Sequence, residues 1–354
     1  MKKYRNFILL TIVSIFIIIF ILFSGTVVHS IKSSLIMCYN SIIPALFPFF
    51  ILCGFLVRII SYMRVPVPLL AFASSQVSGF PSGIKTVCEL YDSGAIDKKT
   101  ASKMLLFTAN ASPAYLISFI GFSVIGLQQI GLILLLAQFS VSLLIAIISG
   151  GLTGKSSPSK NAYFDITSAA CQSISSAVTS CLNICGYIIF FAIIADILEK
   201  LNFFSFLSDI ITFLPENISH SILLGLIEIS KGAVMLDFSQ NYILSLIAIS
   251  IIIGFSGLSI IMQCVSFAVK YKLPSKNIIF GKLLYACLMP CFAVLYSTIL
   301  KTKHLQIHSL KSSAFISLIF FVVFIILVVL IGYNVFDKSI KKSYNIKKCS
   351  GDIK

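Results

Sequence analysis

Long runs of Ile, Leu, Val and Phe separated by short polar stretches set the layout of this chain. Phe7–Phe23 is unbroken and apolar behind the basic start Met1–Arg5. Its length, with no small-residue cleavage site after it, predicts a retained first span rather than a signal peptide. Ser33–Asn40 reads as a short interfacial stretch, and Ser41–Ile60 as a second span with Pro44 and Pro48 near its start. Pro66–Gly94 holds two apolar arms around the string GFPSG at Gly79–Gly83. Neither arm is long enough to cross a hydrocarbon core of about 30 Å, so a hairpin that returns to its own side is predicted. Met104–Gly126 follows, broken at Asn110–Pro113, and Ile130–Leu152 is an uninterrupted span.

The same order then recurs. Thr153–Asp165 is a Gly, Ser, Pro and Lys linker without apolar period. Beyond it come an amphipathic stretch, Ile166–Ser176, and a span, Ala177–Leu198. A second hairpin is expected over Ile211–Asp237, broken at Ser230–Gly232, then a broken span, Tyr242–Ala268, interrupted at Phe255–Gly257. Ile278–Leu300 and Ala314–Gly332 are plain spans, and Asp337–Lys354 is a basic, polar tail. Matching features are offset by about 148 residues. Each unit crosses the bilayer three times, an odd number, so the second must be inverted relative to the first. The expected organisation is an N-terminal span (1–32), a first repeat (33–152), a linker (153–165), an inverted second repeat (166–300), a last span (301–336) and a tail (337–354). The expected fold class is an all-α polytopic membrane protein of about eight transmembrane helices plus two re-entrant hairpins.

Composition agrees. Hydrophobic residues make up 58% of the chain and charged ones 11%, against about 25% charged in soluble domains. The net charge of +15 does not point to nucleic acid, because the basic residues lie between spans. With both termini cytoplasmic, most of the 27 lysines and arginines fall on the cytoplasmic side, as the positive-inside bias requires. Lys301, Lys303 and Lys311 are the exceptions, on the outer side. Ten cysteines are scattered through apolar runs. Cys181/Cys185 and Cys287/Cys291 share helix faces, but the histidines lie elsewhere, so buried reduced thiols are expected rather than a metal site.

The candidate chemistry sits at the breaks. Helices broken at membrane depth expose backbone groups that persist only in a protein-lined cavity, and paired breaks in two halves point to a carrier's binding site. In the first, Ser78, Gly79, Pro81, Ser82 and Gly83 end one half-helix and start another whose free N–H groups favour an anion. Lys85, in the first turn, either adds a full charge or extends to the interface. Asn110 and Ser112 precede Pro113, where they cap a half-helix or face substrate. Glu228 and Lys231 are ionisable groups at membrane depth, either a structural pair or contacts for a substrate or coupling ion. Gly232 adjoins them. Ser256, Gly257, Ser259 and Gln263 form the last break, while Asp196 and Glu199 close a span and read as interfacial. The two hairpin tips are expected to meet, with Gly83 and Gly232 near each other, Asn110 and Gly257. No nucleophile–base pair, dinucleotide loop or P-loop ending is present, so neither an enzyme nor a cofactor is expected.

IIPALFPFFIL at Ile42–Leu52, GFPSGIK at Gly79–Lys85, LLFTANASP at Leu105–Pro113 and FSGLSIIMQ at Phe255–Gln263 resemble the YlbJ (SpoVV) family of sporulation integral membrane proteins. The resemblance covers roughly Ser33–Ser297. It implies paired nucleoside-recognition (gate) domains, similar to the repeats of concentrative nucleoside transporters. It also implies transport of dipicolinate, a small aromatic dicarboxylate, across the outer forespore membrane. The cell membrane is the other location open to the chain. Two further functions stay open: an Na⁺- or H⁺-coupled nucleoside or nucleobase carrier contacting Asn110, Ser112, Glu228 and Gln263, and a membrane scaffold in spore-envelope assembly. The lipid bilayer is the certain partner, and a homo-oligomer is compatible with the sequence.

Overall fold

The computed structural model describes residues 2–62, 67–153 and 165–300. The expected last span and tail, and most of the linker, lie outside these residues. The described residues are helical almost throughout. Apolar side chains with no water around them leave the backbone no partner except itself, and a helix satisfies every internal N–H and C=O within one segment.

Helix α1 (Lys2–Leu22) is followed by α2 (Ser24–Met37), a π-helical turn (Cys38–Ile42) and α3 (Ile43–Tyr62). α1 and α2 meet at a bend of 87°. Ser33–Asn40 spans the end of α2 and the start of the π-helical turn. It is helix, and its neighbours Ser30 and Ser34 are buried where α2 packs on α8 (Ile166–Lys200). Two short helices, α4 (Val67–Ser78) and α5 (Ser82–Asp92), are joined at Gly79–Phe80–Pro81. At 1.5 Å per residue each is less than about 20 Å long. α6 (Lys98–Met104) starts at Asp97, whose carboxylate accepts from the Thr100 amide. It stops short of a π-helix (Ala114–Val124), and α7 (Gln128–Ser149) follows.

The second half runs α8, α9 (Phe203–Ile210), α10 (Glu216–Ile227), α11 (Ile229–Val234), α12 (Tyr242–Phe255), α13 (Gly257–Lys270) and α14 (Lys276–Ile299). The expected amphipathic stretch and span at 166–198 are one continuous 35-residue helix, capped by the Asp165 carboxylate. No turn residue separates them, so nothing stops the first from propagating into the second. The second hairpin breaks at Glu228, two residues before the expected place.

Among the described residues four segments are long and apolar enough to cross a membrane: α7, α8, α12 with α13, and α14. α1 with α2 makes a fifth if the bent pair counts as one. α8 packs against α2, α3 and α13, and α14 bridges α7 and α12. Large apolar side chains such as Ile147, Ile148, Leu182, Phe280 and Leu283 point outward, which suits lipid and not water. The chain is a membrane protein whose described residues fold as helices without a sheet.

Candidate functional site

Two cavities flank the α4–α5 tip, and the consecutive residues Ser78 and Gly79 line one each. A narrow one of about 20 Å³ is lined by Gly79, Phe80, Ser112, Tyr115, Glu228, Ser259 and Gln263, among others. It joins the α4–α5 tip, the α10–α11 tip, the start of the π-helix and α13. A wider vestibule of about 270 Å³ is lined by Arg58, Ser78, Ser82, Lys85, Glu89 and Ser176, among others. The central cavity has room for about one water. The vestibule has room for a small organic molecule.

The α4–α5 tip reaches break one, the non-helical stretch between α6 and the π-helix that starts at Ala114, because Gly79 takes a left-handed backbone (φ +73), and a Cβ there would stand 2.9 Å from the Ser112 amide nitrogen. Such a conformation favours glycine. Pro81 immediately precedes α5. Ser112 caps the π-helix, accepting from the Tyr115 amide at 3.2 Å. Asn110 does not cap. Its amide donates to the Phe107 carbonyl at 2.8 Å and the Ser142 hydroxyl at 3.3 Å, and its Oδ1 is buried without a partner. Gly83 and Gly232 each allow a close approach. Gly83 has Thr108 and Ser75 as nearest neighbours, and Gly232 has Gly225 and Ser221. Gly232 lets the arms of its own helix pair approach, whereas Gly83 lets α5 seat against the Thr108 carbonyl as well as against α4.

Glu228 is buried and sits in extended backbone (φ −140, ψ 117) between α10 and α11. An extended residue directly before a helix is placed to cap it. Its carboxylate accepts from the Lys231 amide at 3.0 Å and from the Ser230 hydroxyl at 3.3 Å. The Lys231 ammonium therefore has another partner, Asp196 on α8. Asp196 also accepts from the Ser30 hydroxyl of α2. The expected Glu228–Lys231 side-chain pair is thus corrected. The break falls at Glu228, so the two residues do not share one helical face. Asp196 is a half-buried junction of α2, α8 and α11. Lys231 lines neither cavity.

At break two, Ser256 is left-handed (φ +71) and its hydroxyl donates to its own helix at the Ile253 carbonyl, 2.9 Å away. Gly257 packs against the Gly225 and Ile227 carbonyls. Ser259 Oγ and both amide atoms of Gln263 are buried with no partner, as is Ser78 Oγ on the vestibule side. Buried polar atoms are nearly always paired, so this set marks a place built to be completed by something else.

In the vestibule, Lys85 reaches the Ser176 hydroxyl and lies 3.9 Å from Glu89. Arg58 donates from Nη1 to Gln172 at 2.7 Å, and its Nε is buried without a partner. Sequence reasoning missed two cations. Arg58 sits at the end of an apolar run and Lys282 inside one. A lone charge inside an apolar run is itself a signal.

The chain is similar to the sporulation integral membrane protein YlbJ of Bacillus subtilis (strain 168), with 23% identity over 313 residues, 75% of this chain and 76% of that protein. No family model and no solved structure matches the chain. The resemblance read from the four motifs is thus borne out by a curated sporulation membrane protein.

Proposed function

We propose that the chain is a secondary carrier or facilitator of a small anionic compound, with dipicolinate across the outer forespore membrane as its leading substrate. The observation that carries this reading is the convergence of two helix-pair tips and two helix breaks on buried polar atoms left unpartnered: Ser78, Ser259 and Gln263. In this reading α4–α5 and α10–α11 are re-entrant hairpins of an inverted repeat, both termini are cytoplasmic, and spans outside the described residues complete a set of about eight. Arg58 and Lys85 line the vestibule beside one carboxylate, Glu89. They attract an anion, and the guanidinium matches a carboxylate's two oxygens. Phe80 and Tyr115, with ring centroids 5.6 Å apart, line the central cavity and suit an aromatic ring. The central cavity holds about one water, so the substrate enters it only after the first tip moves.

One observation favours a second reading. The lining of the central cavity carries Glu228 and no lysine or arginine. That suits a neutral nucleoside, whose hydroxyl and base edges hydrogen-bond to a carboxylate and an amide, with Na⁺ or H⁺ as the coupling ion. Uptake of labelled dipicolinate and of labelled uridine into vesicles holding the purified chain separates the two. The expected result is dipicolinate uptake above empty vesicles, reduced on the order of tenfold or more by Arg58→Gln or Lys85→Gln, each removing a charge-assisted hydrogen bond. Uridine uptake with dipicolinate at the level of empty vesicles would transfer the assignment to the nucleoside reading.

A further inference from the structure

Lys282 lies within α14, 3% exposed. Among the described residues no carboxylate lies within salt-bridge distance of it. A buried charge at membrane depth is retained only where something repays its desolvation. Here the partner is backbone. The ammonium donates to the Ala109 carbonyl, inside the non-helical stretch between α6 and the π-helix. It stands 5.8 Å from the Phe80 ring centroid and 5.0 Å from that of Tyr285, and ring faces attract cations.

The neighbourhood is rich in oxygen. The Phe107 carbonyl accepts from Asn110, from Ser142 at 3.0 Å and from Tyr285 at 3.1 Å. Asn110 Oδ1 is buried and unpartnered. Gly281 holds the α14 backbone against this stretch, since a Cβ there would overlap the Leu106 carbonyl oxygen. Carbonyls freed by unwinding, together with the negative end of a half-helix, are the surroundings in which carriers hold a coupling cation. Break two has no counterpart: the hydroxyl of Ser256 turns to its own helix.

We infer that break one is a site for a small monovalent cation, filled by the chain's own ammonium. Lys282 neutralises the freed carbonyls that a bound Na⁺ would otherwise neutralise, and the site becomes open to a free ion only when the lysine is removed. This deepens the transport reading. Only its corollary, that uptake needs no Na⁺ at this break, rests on that reading.

The test is the melting temperature of the purified full-length chain in sodium, lithium and choline chloride at equal ionic strength. The wild type is expected to melt at one temperature in all three. Lys282→Met keeps the stem and removes the charge. It should melt on the order of 5 °C lower, equally in the three salts, because no space for an ion is opened. Lys282→Ala opens that space. It should melt lower in choline and regain on the order of half the loss in sodium or lithium. Lys282→Met as heat-stable as the wild type would overturn the inference, and so would Lys282→Ala gaining no more from small cations than the wild type gains. If neither neutral variant yields folded protein, the wild type decides. A wild type that depends on Na⁺ for stability overturns the inference, and one indifferent to Na⁺ upholds it. None of these readings requires a substrate, so their failure and the failure of the uptake assay are distinguishable.

Discussion

The two helix breaks begin from similar sequence, small residues within an apolar run, and end as different objects. Break one is wide, running from the end of α6 at Met104 to the π-helix at Ala114. Its freed backbone is satisfied by side chains from elsewhere: Gln138 of α7 accepts from the Ala111 amide at 2.8 Å and donates to the Ala111 carbonyl at 2.9 Å, while Ser142, Tyr285 and Lys282 serve Phe107 and Ala109. Break two is a single left-handed residue, Ser256, which satisfies itself locally. Unwinding several residues at membrane depth releases several backbone groups, and each must find a partner. Unwinding one releases almost none. The first break is therefore held by tertiary structure and the second by its own turn. The second keeps its polar side chains, Ser259 and Gln263, free of internal duties.

The sharpest way to break this comparison changes one residue at each break. Gln138→Leu strips both partners from Ala111 and leaves two buried groups unpaired, an expected loss of about 2–6 kcal/mol, read by thermal unfolding in detergent. Ser256→Gly should stay within about 1 kcal/mol, since glycine relieves left-handed strain while losing one hydroxyl bond. Equal losses at the two positions would abolish the distinction. Next in size is the ion pair that ties α11 to α8. Lys231→Gln leaves Asp196 without its cation in a site whose side chains are 24% and 18% exposed, an expected cost of about 1–3 kcal/mol. Adding Asp196→Asn should restore more than half of it, and a double variant no better than the single would show that Lys231 acts some other way.

Gly79→Ala tests contact between tip and break. The left-handed backbone alone costs about 1–2 kcal/mol, and the approach to Ser112 adds to that. Gly94, with φ +72 and open space around its Cβ position, is the control. Gly94→Ala should cost only the backbone part, and matching values would deny the tip its close seat. The smallest change in stability is expected from Gln263→Leu. It removes two buried atoms that have no partner, so stability should hold within about 1 kcal/mol or rise, while dipicolinate uptake falls on the order of tenfold. A large destabilisation would place Gln263 with Gln138 as a structural residue.

Much of the architecture was legible because its causes are local. Apolar run length, Gly and Pro at the tips and the small-residue breaks mark helices α7 and α14, the α4–α5 pair and the interruption at Ser256 to within a few residues. Ser33–Asn40 and Ile166–Ser176 are continuous with the helices that follow or precede them, which the sequence did not show. Polar residues in these stretches keep the helix going where they are buried: Ser30, Ser34 and Ser173 lie inside the protein, Ser30 bonding a carboxylate and Ser173 the backbone. Of the site, the residue types and segments could be read, whereas the partners could not.

The sequence by itself determined a helical membrane chain with paired interruptions, because hydrophobic length and backbone-breaking residues act over a few positions. Only the tertiary structure decided which charge meets which group: Lys231 with Asp196 rather than Glu228, Glu228 with a backbone amide, Lys282 with the Ala109 carbonyl. These pairings join residues as far as 173 positions apart. In a medium without water a buried polar group can pair only with a complementary group close to it in space, and helix packing, not the spacing along the chain, sets which one that is.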